Sequence, residues 1–112
     1  MFSLAGKVAL VTGGSRGIGR ATAEVLAEQG AHVVLTYVGN EAAAAETVAA
    51  IGRASGKAEA VRLDTGDAEG SEKTIAEIAK RLGRLDALVS NAGISIDALL
   101  LRLKDDDFER VL

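Results

Sequence analysis

Val8-Ala9-Leu10-Val11-Thr12-Gly13-Gly14-Ser15-Arg16-Gly17-Ile18-Gly19 is the stretch on which the reading of the chain turns. The run Val8 to Val11 is apolar, unbroken and too short for a helix, the signature of a strand buried on both faces. It breaks into glycines and then resumes with helical spacing. From Gly17 to Gln29 the positions Ile18, Ala21, Thr22, Val25 and Leu26 are expected to form one buried stripe, with Gly30 as the stop. A strand that passes through such a loop straight into a helix aims free backbone N–H groups and the positive end of the helix dipole at whatever sits in the loop. Pyrophosphate is the natural guest. Gly13 is expected to take the tight turn, Gly17 to let the backbone approach the phosphates, and Gly19 to let the helix lie close to the strand. Glycines also occur in plain turns; the place of this loop, in the first strand-to-helix connection, raises it above that reading.

Outward from the loop, strands and helices alternate. His32 to Tyr37 is β-branched and apolar, a second strand, and Gly39-Asn40 breaks it before an alanine-rich helix from about Glu41 to Ala54 that Ser55-Gly56 ends. Ala58 to Leu63 reads as a third strand with the alternation of a sheet edge, and Asp67 as the N-cap of a helix running to about Leu82 on the stripe Ile75, Ile78, Ala79 and Leu82. Gly83 releases the chain into a fourth strand, Leu85 to Ser90, which leaves through the turn Asn91-Ala92-Gly93. A last helix opens on Asp105-Asp106-Asp107 and presents Phe108, Val111 and Leu112 on one face. Strand-helix alternation of this kind predicts an α/β fold with four parallel strands in the order 3-2-1-4 and helices on both faces.

Bulk properties narrow the function. The 112 residues suit one small domain, with 48% hydrophobic and 26% charged residues and only Phe2, Tyr37 and Phe108 as aromatics, so Val, Ile, Leu and Ala must fill the core. There is no cysteine, which removes disulfides and cysteine metal sites and agrees with a reducing compartment. A net charge of -3 speaks against nucleic acid or an anionic membrane as partner. No run approaches the roughly 20 apolar residues that span a bilayer, and no basic stretch precedes an apolar one at Met1 to Lys7. The expectation is a cytoplasmic, soluble chain whose partner is small.

Between Gly13 and Gly17, the first two glycines of the motif, stand three residues, Gly14, Ser15 and Arg16, where the commoner dinucleotide fingerprint has one. Thr-Gly-x-x-x-Gly-x-Gly resembles the short-chain dehydrogenase/reductase family. Three further matches stand in register: Asp64 after the third strand, Asn91-Ala92-Gly93 after the fourth, and Asp97 to Phe108, a run that looks like the corresponding segment of the 3-oxoacyl-acyl-carrier-protein reductases within that family. The resemblance implies a three-layer Rossmann domain and, in an intact enzyme, NADPH-linked reduction of a carbonyl such as the 3-oxoacyl thioester of fatty acid synthesis. It also implies that Gly13, Ser15, Arg16, Gly17, Ile18 and Gly19 hold the pyrophosphate and nearby ribose, with Thr12 bracing the loop. Asp64 and Thr65 would meet the adenine, Asn91, Ala92 and Gly93 would border the nicotinamide ribose, and Tyr37 would lie on the adenosine side. The alternatives are an ordinary solvated acid at Asp64 and a purely structural turn at Asn91.

Selection between NADP(H) and NAD(H) turns on the residue closing the second strand, where an acid would accept from a ribose 2′-hydroxyl and repel a 2′-phosphate. The sequence there is Thr36-Tyr37-Val38, without an acid, and Arg16 can pair with the extra phosphate, so NADP(H) is expected over NAD(H). Arg16 as a solvated surface charge is the competing reading. His32 is read as a strand-start residue with a satisfied hydrogen bond, and Asp105 to Asp107 as a helix start, so no metal is assigned.

The family's chemistry departs from this sequence in one respect. It uses a tyrosine acid with a lysine four residues later, a serine and an asparagine, whereas the single tyrosine here, Tyr37, is followed four residues later by Glu41. The catalytic half is therefore expected to be absent, residues 1–112 to be one truncated Rossmann domain, and no catalytic residue is assigned. Ser90, where many relatives have a second asparagine, and Gly66 are smaller departures. Two readings of the chain follow. One is an NADP-binding module. The other is a self-associating half-fold, a homodimer or higher oligomer paired antiparallel through the exposed fourth strand, with incidental cofactor binding or none. A third, that the chain is part of a larger protein, also stands.

Overall fold

The computed structural model describes residues 3–13, 17–64 and 66–90. Within them lie β1 (Val8–Thr12), α1 (Gly17–Glu28), β2 (His32–Tyr37), α2 (Glu41–Arg53), β3 (Lys57–Arg62), α3 (Ala68–Leu82) and β4 (Ala87–Ser90). The four strands form one sheet in the order β3-β2-β1-β4, every pair parallel, as the alternation predicted. The turn Asn91 to Gly93 and the helix expected from Asp105 lie outside the described residues.

Parallel strands must be joined by crossovers, and here helices supply them. α1 and α2 step the chain from β1 through β2 to β3 in one direction, and α3 carries it back to the far side of β1. Successive residues of β1 and β2 therefore serve opposite layers. Val8, Leu10 and Val34 pack with Ile75 and Ile78 of α3, together with Leu63 and Leu85. Ala9, Val11, Val33 and Leu35 pack with Ala23 and Ala27 of α1 and with Ala44 and Ile51 of α2. The result is three layers, helices on both faces of a sheet whose inner strand β1 is buried along its whole length.

The buried stripe of α1 differs from the expected one. Gly19, Ala23 and Ala27 face the sheet, while Ile18 is 79% exposed and Val25 56%. Residues four apart share a helix face, and three small side chains there let the backbone come down close on the strands. Hydrophobic spacing gives weight to Ile and Val and none to Gly, so it selected the outer face. α3 follows expectation: Ile75 and Ile78 are buried, Ala79 and Leu82 pack beside them, Asp67 accepts from the Gly70 N–H at 3.0 Å as N-cap, and Gly83 closes the helix at φ +82°. At the end of α2 Ser55, and not Gly56, takes the left-handed conformation, at φ +68°.

β4 is fastened to β1 at its entrance by one acid. Asp86 Oδ2 accepts from the Val8 N–H at 2.8 Å, and the Asp86 N–H donates to the Val8 carbonyl at 2.9 Å. Arg84 holds the same carboxylate with Nε at 2.8 Å and Nη2 at 2.7 Å. The Arg84 hydrogen bonds, helped by the Val8 N–H and opposed by partial burial, hold the Asp86 carboxyl below the usual aspartate range. A carboxyl lowered in the folded state adds stability that is complete above its unfolded value and lost as pH falls through the folded one. Replacing it also strands the N–H of Val8, a residue only 5% exposed. We expect Asp86→Ala to cost about 1–3 kcal/mol in denaturant unfolding at neutral pH. The gap to the parent should narrow at acid pH, below the ordinary aspartate range; an equal gap at both pH values would refute this account.

Candidate functional site

All strands being parallel, their carboxyl ends meet at one edge, and the chain's direction across the sheet reverses between β1 and β4. In open α/β sheets ligands bind in the crevice outside the carboxyl ends at such a reversal. The residues leaving β1 occupy that place. Gly13 lies at φ +69°, a conformation that side chains with a Cβ rarely adopt, and its N–H donates to Thr36 Oγ1 at 3.2 Å. Thr36, at the end of β2, is buried, as is Thr12, whose hydroxyl donates to the Val89 carbonyl at 3.4 Å. The exit of β1 is thus tied to β2 on one side and β4 on the other.

Past the loop, Gly17 opens α1 at φ +64°, and a Cβ built on it would meet no atom within 4 Å. Open space lies in front of that backbone. The first turn of α1 has no acid, so nothing there opposes the positive end of its dipole. Arg20, in the same turn, is committed elsewhere, to Glu46 of α2 at 3.3 Å and Glu24 at 3.8 Å. Gly19 is buried toward the sheet and Ile18 points outward. Ser15 and Arg16 lie outside the described residues.

On the other flank, Tyr37 ends β2 packed against the α1 and α2 layer, its hydroxyl 3.5 Å from Glu41 Oε2. Asn40 caps α2 by accepting from the Ala43 N–H at 3.0 Å. Asp64 follows β3; its Oδ1 accepts from the Gly66 N–H at 2.9 Å, and its carbonyl accepts from the Ser71 hydroxyl at 2.9 Å. One carboxylate oxygen therefore closes a turn. Thr65, Asn91, Ala92 and Gly93 lie outside the described residues. The structure places Gly13, Gly17, Ile18, Gly19, Tyr37 and Asp64 along the same sheet edge.

Features away from that edge read differently. An apolar recess of about 170 Å³ between the ends of α1 and α2, lined by Ala27, Ala50, Ile51 and Gly56, sits at the opposite, amino edge. It gathers no converging polar groups apart from the rim acids Glu24 and Glu28. His32 Nε2 stands 3.3 Å from Glu59 Oε2, and Arg81 holds the same carboxylate. The Arg81 hydrogen bond lowers the Glu59 carboxyl against the opposing effect of burial. His32 is thus a strand-start residue with an acid partner. Among the described residues no three His, Cys, Asp or Glu side chains gather as a metal set, and no helix is long and apolar enough to cross a membrane.

The sequence assigns no positioning role to Thr36, Asn40, Glu41 or Asp86. Thr36 is the one aliphatic hydroxyl in β2, and Asn40 and Asp86 each directly precede an element, which is a readable signal. Glu41 is read there as the start of a helix and as the residue four beyond Tyr37.

The model of the short chain dehydrogenase family matches residues 7–112. A 3-oxoacyl-[acyl-carrier-protein] reductase of Synechocystis sp. is 44% identical over 112 residues, which take in 100% of this chain and 45% of the relative. One from Vibrio harveyi is 46% identical over 113 residues, 99% of this chain and 44% of the relative. The chain therefore spans less than half the length of these relatives. Among solved structures, a dehydrogenase/reductase from Sinorhizobium meliloti superimposes with a TM-score of 0.78 at 54% identity, covering 82% of this chain and 36% of that one. A short chain dehydrogenase from Burkholderia cenocepacia in complex with NADP gives 0.75 at 45% identity, covering 81% and 37%.

The positive φ of Gly17 makes a folding prediction independent of any ligand. Gly17→Ala should lower stability by about 1–2 kcal/mol, the cost of holding an L-residue left-handed. Since the new methyl meets open space, no packing loss should add to that; a loss above roughly 3 kcal/mol in urea unfolding would contradict it.

Proposed function

The chain belongs to the short chain dehydrogenase family, and from that premise we propose that its carboxyl edge binds NADP(H). The end of β1 carries this reading: Gly13 turns left-handed against Thr36, Gly17 opens α1 with space before it, and no acid stands in the first turn. These features suit a pyrophosphate, whose charge meets backbone N–H groups and the helix dipole without a Cβ between. Gly13, Ser15, Arg16, Gly17, Ile18 and Gly19 hold it with the adjoining ribose, Tyr37, Asp64 and Thr65 take the adenosine, and Asn91, Ala92 and Gly93 border the nicotinamide ribose. Arg16 and the acid-free strand end Thr36-Tyr37-Val38 favour the 2′-phosphate of NADP(H) over NAD(H). The bound nucleotide supplies hydride, and an intact relative of this kind reduces a 3-oxoacyl thioester or similar carbonyl in the cytoplasm.

Residues 1–112 form one dinucleotide-binding domain that does not by itself carry out reduction. Hydride transfer to a carbonyl needs a proton donor for the developing alkoxide and donors to stabilise it. The single tyrosine is Tyr37, at the end of β2 with Glu41 four residues on, so the family's tyrosine-lysine pair is not present in this polypeptide. Titration calorimetry of the folded polypeptide should show saturable heat with NADPH, and a 3-oxoacyl thioester added with NADPH should leave the absorbance of the reduced nicotinamide unchanged. No heat at millimolar NADPH from a polypeptide that circular dichroism shows folded would end the binding reading.

A second reading rests on a contrast between the two outer strands. β3 carries Lys57, Glu59 and Arg62, charges that discourage further pairing, whereas Ala87-Leu88-Val89-Ser90 of β4 has none. An uncharged outer strand is suited to antiparallel pairing with β4 of a second copy across a two-fold axis. Light scattering after size exclusion should then give twice the chain mass, and a monomer at micromolar concentration would remove this reading.

A further inference from the structure

We propose that Ser71, a buried residue near the start of α3, positions Asp64 and thereby sets how strongly this site prefers a purine with a 6-amino group to one with a 6-keto group. The proposal rests on the dinucleotide reading above, in which Asp64 takes the adenosine, and adds to it a residue that acts only through Asp64. Ser71 heads the face that α3 buries, followed on it by Ile75 and Ile78. Residues four and seven apart share a helix face, so a hydroxyl here interrupts an apolar stripe. Ser71 is 4% exposed, and a hydroxyl withdrawn from water is costly unless it finds a partner. An inward-turned helical serine commonly bonds the carbonyl four residues back. Ser71 leaves that carbonyl, of Asp67, to its own N–H at 2.9 Å and donates its hydroxyl to the Asp64 carbonyl, also at 2.9 Å.

Asp64 is thereby held from several sides. Its carbonyl also accepts from the Asp67 N–H at 2.9 Å, its Oδ1 accepts from the Gly66 N–H at 2.9 Å, and the preceding residue, Leu63, donates its N–H to the Tyr37 carbonyl at 2.9 Å. Its Oδ2 makes no hydrogen bond among the described residues and stays open to a donor. A carboxylate oxygen accepts from an exocyclic amino group and repels a keto oxygen, so this acid acts on the two bases in opposite senses. Asp64 is exposed, and an exposed side chain that must be ordered on binding loses much of what its hydrogen bond contributes. The buried hydroxyl of Ser71 supplies that order beforehand, from a residue fixed by the packing of α3 on the sheet.

Ser71→Ala removes the hydroxyl where alanine suits a helix better, and leaves the Asp67 cap and the Asp67 N–H to Asp64 in place. Ser71→Cys, close in volume with a far weaker donor, is the second variant. Affinities for NADPH and for reduced nicotinamide hypoxanthine dinucleotide phosphate, which has a keto group where adenine has its amino group, are measured by calorimetry. The measurements cover the parent, both variants, Asp64→Ala and the Asp64→Ala/Ser71→Ala double variant, with thermal melts to confirm folding. The parent should prefer NADPH, and both Ser71 variants should lose roughly three- to tenfold of that preference through weaker NADPH binding. In the Asp64→Ala background, Ser71→Ala should move the ratio no further. A preference unchanged in either folded Ser71 variant, one that falls as much without Asp64 as with it, or a parent that binds both nucleotides equally overturns the assignment while leaving the dinucleotide site standing. If the parent binds neither nucleotide, the dinucleotide reading falls and this proposal falls with it.

Discussion

β1 is the strand on which everything else hangs, because it is paired on both edges, buried along its whole length and continuous with the glycine loop. A parallel strand in that position has no solvent to satisfy its backbone, so each of its groups needs a partner from a neighbour. The register must then hold at both ends. At the entrance the carboxylate of Asp86 takes the Val8 N–H. At the exit Thr12 reaches the Val89 carbonyl and Thr36 takes the Gly13 N–H. The loop geometry follows from this: Gly13 turns left-handed at the point where the strand can go no further without losing its partners.

The same closeness governs the helix. α1 lies on the sheet through Gly19, Ala23 and Ala27, and a helix carried on such small residues holds its first turn at the mouth of the loop. Larger side chains on that face would lift the helix away from the strand end that it must follow directly. The bulky residues Ile18 and Val25 are consequently displaced to the outer face. A glycine loop and a small-residue helix face are thus one requirement expressed twice.

Much of this was legible from spacing alone. The uninterrupted Val8 to Val11, the β-branched His32 to Tyr37, the Asp67 cap and the Gly83 stop each announce an element through local chemistry, and strand order follows from helix-length crossovers. What spacing could not give was the buried face of α1, since close approach is signalled by the absence of side chains. Nor could it give the polar ties. Thr36 to Gly13 spans 23 positions and Asp86 to Val8 spans 78, and a contact of that kind exists only once the strand order has brought the two ends together. Glu41 belongs to this class: it is four residues beyond Tyr37 in sequence, and only the cap at Asn40 turns that interval into proximity.

The anchors also divide by charge. The ionic ties, Arg84 to Asp86 and His32 with Arg81 to Glu59, serve the entrance of β1 and β4 and the face of α3. At the carboxyl end, where β1 becomes the loop, the ties are hydroxyls, from Thr12 and Thr36, and an amide cap, Asn40. Hydroxyls tie backbone less strongly than carboxylates do, but they bring no net charge that would compete with an anion for the helix dipole. An edge fastened this way leaves its field to be set by a few groups beyond the strand ends. Of those described, Asp64 spends one carboxylate oxygen on the Gly66 turn, while Glu41 spends its contact on Tyr37. With the ends of β1 and β2 tied by neutral groups, the charges described at this edge include those of Asp64, Glu41 and the ion-paired Arg20 beyond them.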